Sequence, residues 1–271
     1  MAGEGRFFDT LGDSTKTIIP GGAVLEGDMT RTKKNKYMHL FFDQHPIYKG
    51  KVLADGTTLA HAAPTGATGD ENLMIFPDGT LEWHVIVTQT ILAPALVATG
   101  LNLGMDQTAN DGIEVCPGIL ANNRLAFVVG TDPAFYARMK FSLADVSGTD
   151  DCAFGFRKAE AYQAAVDDYD EMAAFNVVAG AIKTETIING AATVTTDTTN
   201  TWADTATHTL EVRVAVDGTV SYKIDGIEPL VTATTDFAFD AGEVVVPFFY
   251  YIHDTDICDT IILKEFECGL Q

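Results

Sequence analysis

The stretch HTLEVRVAVDGTVSYKIDGI, residues 208–227, constrains the fold more than any other part of the chain. Leu210, Val212, Val214 and Val216 alternate with Glu211, Arg213 and Ala215; after Asp217-Gly218, Val220, Tyr222 and Ile224 alternate with Ser221 and Lys223. Period-2 alternation on both sides of a glycine turn specifies an antiparallel hairpin with one buried face. The same letters give its register. A two-residue Asp217-Gly218 loop would set Val214 opposite Ser221 and Val212 opposite Lys223, mixing apolar and charged groups. A three-residue loop, Val216-Asp217-Gly218 with Gly218 left-handed, pairs Val214 with Val220, Val212 with Tyr222 and Leu210 with Ile224. Only the second register keeps one face apolar, and it is the one predicted.

Strand signals recur along the chain. LMIF, Pro77-Asp78-Gly79 and TLEWHVIV read as a second hairpin, with Pro presetting the turn, Gly supplying a positive φ, and Leu81, Trp83, Val85 and Val87 on one face. Further strands are predicted at 113–116, 125–129, 135–143, 153–157, 176–188, 192–196, 244–251 and 257–266. Ala159, Tyr162, Val166, Tyr169 and Met172/Ala173 fall at helical spacing, which predicts one short helix. Turn signals at uneven spacing fit a many-stranded sandwich and not a repeat protein. Residues 1–60 alternate weakly and read as an N-terminal arm or edge strands that need a neighbour for order; residues 61–271 read as the sandwich.

The 271 residues carry 17 basic and 38 acidic side chains, a net charge of −21. Nucleic acid and anionic membranes are therefore poor partners. The charge is uneven: residues 1–60 hold eight of the basic residues and seven of the acidic ones. Arg31, Lys33, Lys34 and Lys36 form the one basic run, either a solvated loop or a contact to an acidic neighbour. The start, MAGEGRFFDTLGD, has no cationic segment followed by an apolar stretch, so no signal peptide is expected. The apolar runs are shorter than the ~20 residues of a membrane span. Cys116, Cys152, Cys258 and Cys268 form no C-x-x-C pair, and Cys258 and Cys268 on one strand would lie ~33 Å apart. All four are expected as buried thiols, which suits assembly in a cytoplasm.

Candidate chemistry is sparse. Asp167-Asp168-Tyr-Asp170-Glu171, Asp254 and Asp256 with Asp259, and Asp150-Asp151 are acidic clusters without calcium-loop spacing, and they read as solvated loops. Glu265 and Glu267, i and i+2 on the closing strand, are the one pair suited to glycoside hydrolysis; on an edge strand both would face water. The six histidines are scattered, the four serines lie in no G-x-S-x-G, and no phosphate-binding glycine loop occurs. Trp83, Trp202 and the run Phe248-Phe249-Tyr250-Tyr251 could stack on sugar, but read first as core, with half of the run pointing inward.

FYARMKFSLADVSG, CAFGFRKAEAY, HTLEVRVAVDGTVSYKIDG and VPFFYYIHDTD with IILKEFECG, in that order, resemble the concanavalin A-like, laminin-G-like jelly-roll sandwich over residues 113–271, and more loosely from 73. The resemblance implies an all-β antiparallel fold. The E-I-D-x-E-like strand of glucanases and the metal ligands of legume-type lectins have no counterpart, so no enzyme activity, metal or cofactor is expected. The whole chain is also similar to virion proteins of tailed phages. That similarity implies a capsid decoration protein on the virion surface, a homotrimer bound to the major capsid protein. Phe7, Phe8, Arg31, Lys33, Lys34, Lys36, Tyr37, Phe41 and Phe42 of the arm are then its contacts. A lectin-like, carbohydrate-binding module is the alternative, and a glycoside hydrolase acting through Glu265 and Glu267 a third.

Overall fold

The computed structural model describes residues 36–43, 46–50, 71–86, 94–103, 112–119, 125–232 and 237–271, positions 109 and 123, and the backbone of strands at 16–18 and 24–26. The strands are β1 (Lys16–Ile18), β2 (Val24–Glu26), β3 (Tyr37–Phe41), β4 (Ile47–Gly50), β5 (Glu71–Phe76), β6 (Gly79–Val85), β7 (Ala95–Val97), β8 (Gly100–Asn102), β9 (Gly112–Cys116), β10 (Phe127–Val128), β11 (Phe135–Leu143), β12 (Thr149–Lys158), β13 (Met172–Val178), β14 (Ala181–Ile187), β15 (Val194–Thr201), β16 (Thr207–Val214), β17 (Val220–Ile224), β18 (Val244–His253) and β19 (Ile261–Leu270).

Two antiparallel sheets face each other across one core. The large sheet runs β15-β14-β13-β12-β18-β9-β6-β5-β4, with β10 also on β18; the small sheet runs β17-β16-β11-β19-β8-β7, with β3 also on β19. This is a jelly-roll sandwich. β3 and β4, both within residues 1–60, are strands of these sheets; β1 and β2 pair with each other. Apart from these strands and positions 36, 42, 43 and 46, residues 1–60 lie outside the described residues, as does Val87.

The hairpin β16–β17 has the predicted register: Val214 pairs with Val220, Val212 with Tyr222 and Leu210 with Ile224. Gly218 takes φ +88°, and a Cβ there would meet the Phe239 carbonyl, so the turn requires glycine. The span 176–188, predicted as one strand, is a tight hairpin. Ala179 and Gly180, both at positive φ, turn the chain back so that Val178 pairs with Ala181. At 77–79 the loop is Pro77-Asp78 alone. Gly79 pairs with Phe76 inside β6, without a positive φ, and a Cβ would run into Met38. Cys258 precedes β19 and is not part of it, and all four cysteines are free and buried.

The predicted helix at 159–173 does not form. The segment crosses the outer face of the large sheet as an extended strap with one 3₁₀ turn, Val166–Asp168, while Met172 and Ala173 pair with Arg157 and Phe156 as the start of β13. Its backbone carbonyls are claimed by the sheet below: Tyr250 Oη donates to Ala164 O at 2.9 Å, and Arg157 Nη1 to Glu160 O at 3.1 Å. Tyr162, Val166 and Tyr169 still point inward, onto Ala174, Ile187, Phe248 and Tyr250. Hence Phe248 and Tyr250 are as buried as Phe249 and Tyr251 on the opposite face. Under the strap lies a fully buried ion pair, Arg157 Nε to Glu114 Oε1 at 2.7 Å, to which Tyr169 Oη also donates. Burial pushes the Glu114 carboxyl up against the pull of Arg157. A guanidinium stays protonated in a protein, and at this distance it holds its partner as the carboxylate.

Candidate functional site

The strap covers the middle of the large sheet, whereas the outer face of the small sheet carries polar side chains from several strands. Alternation decides which. On β3, Met38 and Leu40 enter the core, so Tyr37, His39 and Phe41 face out; on β11, Ala137 and Met139 go in and Tyr136, Arg138 and Lys140 out; on β19, Phe266 and Cys268 go in and Glu265 and Glu267 out. Register then sets Arg138 beside Glu267, Glu267 beside His39, and Arg138 beside Glu211 on β16.

The result is one network. His39 Nε2 and Glu265 Oε1 are 2.8 Å apart; Arg138 donates from Nε to Glu267 Oε2 at 2.6 Å and from Nη2 to Glu265 Oε1 at 3.3 Å. Tyr37 Oη and Tyr136 Oη both donate to Glu267 Oε1, at 2.9 and 2.7 Å. Burial raises the Glu267 carboxyl, but the two hydroxyls and Arg138 outweigh it and hold the group below the usual carboxylate range. The same contact, with burial leading, pushes the Tyr37 phenol up to about 12.

β19 is therefore an interior strand, and Glu265 and Glu267 are not the water-facing edge pair expected from the sequence. They lie side by side on one face, both bound to the Arg138 guanidinium, and do not oppose each other. His39, Glu265 and Glu267 offer ligand atoms within 4.8 Å of one another, the one such group among the described residues. A cation does not fit well there. Arg138 and both tyrosines already occupy both Glu267 oxygens, and Arg138 and His39 share Glu265 Oε1, so a metal held by all three residues would have to displace the guanidinium.

Beside the network the sheet has a notch. β3 and β8 share one edge of β19, β3 along 265–269 and β8 along 262–263. Lys264, between them, is the extra residue of a β-bulge: Lys140 pairs with Glu265 but Phe141 with Leu263. A cavity of about 500 Å³ opens there, lined by Phe41, Phe42, Asp43, residues 96–100 and Lys264. Lys264 Nζ donates to Thr207 Oγ1 at 2.7 Å, across the sheet face. Phe41 is 56% exposed and Tyr37 39%, with the His39 ring 4.3 Å from that of Phe41. The site thus joins two accessible aromatic rings, a clamped carboxylate–arginine array and a recess with one ammonium and one carboxylate at its wall.

Of the other residues singled out in the sequence, Phe7, Phe8, Arg31, Lys33 and Lys34 lie outside the described residues. Lys36 is tied to this chain by the Asp132 carboxylate and by Ala126 O at 2.9 Å. Phe42 is buried in the core at the base of the recess, while Tyr37 and Phe41 face outward. Trp83 and Trp202 are core. The acidic clusters stay apart: Asp170 pairs with Lys158, Asp151 accepts from Asn176, and Asp167 accepts from Thr193. Sequence reasoning found Glu265 and Glu267 but missed His39, Tyr136 and Arg138, because which strand neighbours which is not written in any local pattern.

No family model and no curated protein matches the chain. Solved structures similar to it include the Emp47p carbohydrate recognition domain (12% identity, TM-score 0.47, 69% of this chain and 88% of that one). A Shewanella oneidensis protein of unknown function, SO2946, matches at 13% identity and TM-score 0.43 over 86% of each chain. The carbohydrate binding module CBM66 from Bacillus subtilis matches at 12% identity and TM-score 0.41, over 75% and 96%. Such likeness leaves the ligand to be argued from the site itself.

Proposed function

We propose that this protein is a non-catalytic carbohydrate-binding module whose binding face is the outer surface of β3, β19 and β11 together with the notch at Lys264. The observation that carries this reading is the row Tyr37, His39, Phe41. Two accessible aromatic rings stand at i and i+4 of one strand, about 13 Å apart along it. They lie over an array of fixed donors and acceptors and run into a 500 Å³ recess. Aromatic faces take the C–H side of a sugar ring, and planar charged groups take its hydroxyls. Interlocked carboxylates make a preformed surface that loses little side-chain entropy on binding. They also lack the opposed acid and base of a hydrolase. The test is a glycan array probed with the wild-type chain, Tyr37→Ala and Phe41→Ala. Binding to a defined set of glycans that Phe41→Ala abolishes supports the reading. No binding to any glycan, or binding indifferent to both substitutions, contradicts it.

Assembly on a virion surface is a second reading, favoured by one observation. Ile227 and Leu230, on the loop after β17, are 73% and 75% exposed, with Val231 beside them, an apolar tip suited to a protein contact. Light scattering that finds a homotrimer, dissolved by Leu230→Asp, supports this reading; a monomer at high concentration removes the trimer.

A further inference from the structure

The last strands of the two sheets on one side, β15 and β17, flank a second cavity of about 210 Å³. What lines it is unlike the rest of the core. Thr184 pairs with Phe175, a core residue, and Thr196 with Thr184, while Val194 pairs with Thr186. Beyond Ile182, which is in the core, the positions of β14 and β15 that face the cavity are Thr184, Thr186, Val194 and Thr196, where other inner faces carry Leu, Ile, Val, Met and Phe. Opposite them are Val220 and Tyr222 of β17, with Phe237 closing one side. The Tyr222 ring packs edge-on against Phe175 at 5.1 Å, so its position is fixed. Its hydroxyl oxygen is buried and has no hydrogen-bond partner among the described residues, and burial alone raises its pKa above the ordinary phenol range.

A buried hydroxyl without a partner is unfavourable, and a buried threonine, Thr184, facing an unfilled space is a poor packing choice. Both become favourable when something polar fills the space. Each threonine hydroxyl gives one donor and two acceptor sites, and the tyrosine gives one donor more. Val194, Val220 and the Phe237 ring supply apolar walls. Glu228 is the one charged residue among the lining groups, and no Lys or Arg lines the cavity, which disfavours anions. The space equals about seven waters at ~30 Å³ each, the room for one six-membered ring with its hydroxyls.

We infer that this slot is a binding site for a neutral polyhydroxylated molecule the size of a single sugar ring, held by Thr184, Thr196 and Tyr222. It is separate from the outer-face site and does not depend on it. The test is a titration of the full chain, followed by protein NMR, with glucose, galactose, mannose, N-acetylglucosamine, glycerol and myo-inositol. One of them is expected to saturate shifts at Thr184, Thr196 and Tyr222. Thr196→Val should weaken that ligand about fivefold or more. Tyr222→Phe should do the same while raising the Tm of the free protein, because it removes the unmatched hydroxyl; a merely structural tyrosine would not show that combination. Phe41→Ala should leave this binding unchanged. The inference is overturned if no compound saturates, if Tyr222→Phe binds as tightly as wild type, or if the binding is lost in Phe41→Ala and so belongs to the outer face.

Discussion

The ion pair Arg157–Glu114 decides which face of this sandwich is open, and Glu114→Gln tests that. Both side chains are fully buried; the pair is 2.7 Å long, Tyr169 donates to the same carboxylate, and the guanidinium sits 4.5 Å from the Tyr169 ring centre. Arg157 also ties the strap through Lys158 O and Glu160 O. Removing one partner of such a pair leaves an uncompensated buried charge, which costs about 3–5 kcal/mol. Glutamine keeps the shape and one acceptor, which places Glu114→Gln near the lower end, ~3 kcal/mol. Glu114→Leu with Arg157→Met removes both charges and should cost less than the single change, giving a coupling of about 2–3 kcal/mol in a double-mutant cycle. Urea unfolding followed by tryptophan fluorescence measures the cycle. Limited proteolysis of the native state reports the strap, and cleavage within 159–171 should accelerate in Glu114→Gln before global unfolding does. A loss under 1 kcal/mol, or singles that add to the double, would refute the view that this pair pins the strap over the large sheet.

Two further outcomes follow from the charges. Burial, then Glu243 and Asp240, raise the Glu171 carboxyl to about 7; an acid that holds its proton more tightly folded than unfolded is most stabilising below about 4.5 and loses that contribution as pH rises through 7. Glu171→Gln should therefore match wild type in acid and exceed it by ~1–2 kcal/mol at pH 8 in parallel urea titrations, and equal stability at pH 8 would show the carboxyl to be ordinary. Glu267 is held low, so its contribution is present above the usual glutamate pKa and fades as pH falls through the lowered value; Arg138→Met should raise its carbon-13 titration midpoint, and an unmoved midpoint would show that Arg138 does not act on it.

Local pattern carried much of the fold. The 208–227 register was legible because only one pairing keeps Val212, Val214, Val220 and Tyr222 on one face. The strap was not, because Tyr162, Val166 and Tyr169 repeat at a spacing that a helix and an extended segment over a sheet satisfy equally; Arg157 and Tyr250, distant in sequence, decide between them by taking the carbonyls. The split of 176–188 was hidden because Ala179-Gly180 lacks the Asn-Gly or Asp-Gly signature of its turn. At the candidate site, outward positions could be read within each strand. The meeting of β3 with β19, separated by more than two hundred residues, could not, so Glu265 and Glu267 looked solvated when they are clamped by Arg138, Tyr37 and Tyr136. The slot at Tyr222 left a trace, the Thr-rich run TVTTDTTNT, which alternation alone assigns to an exposed strand.

Saccharide binding on the outer face of the small sheet is tested most directly by a backbone NMR titration of the intact protein with the best glycan from the array. Saturable shifts are expected at residues 37–43, 96–100, 136–138 and 264–267 alone, with the Tyr37, His39 and Phe41 side chains shifting together. Shifts gathered on the strap at 159–171, at the 227–231 loop, or nowhere would contradict it.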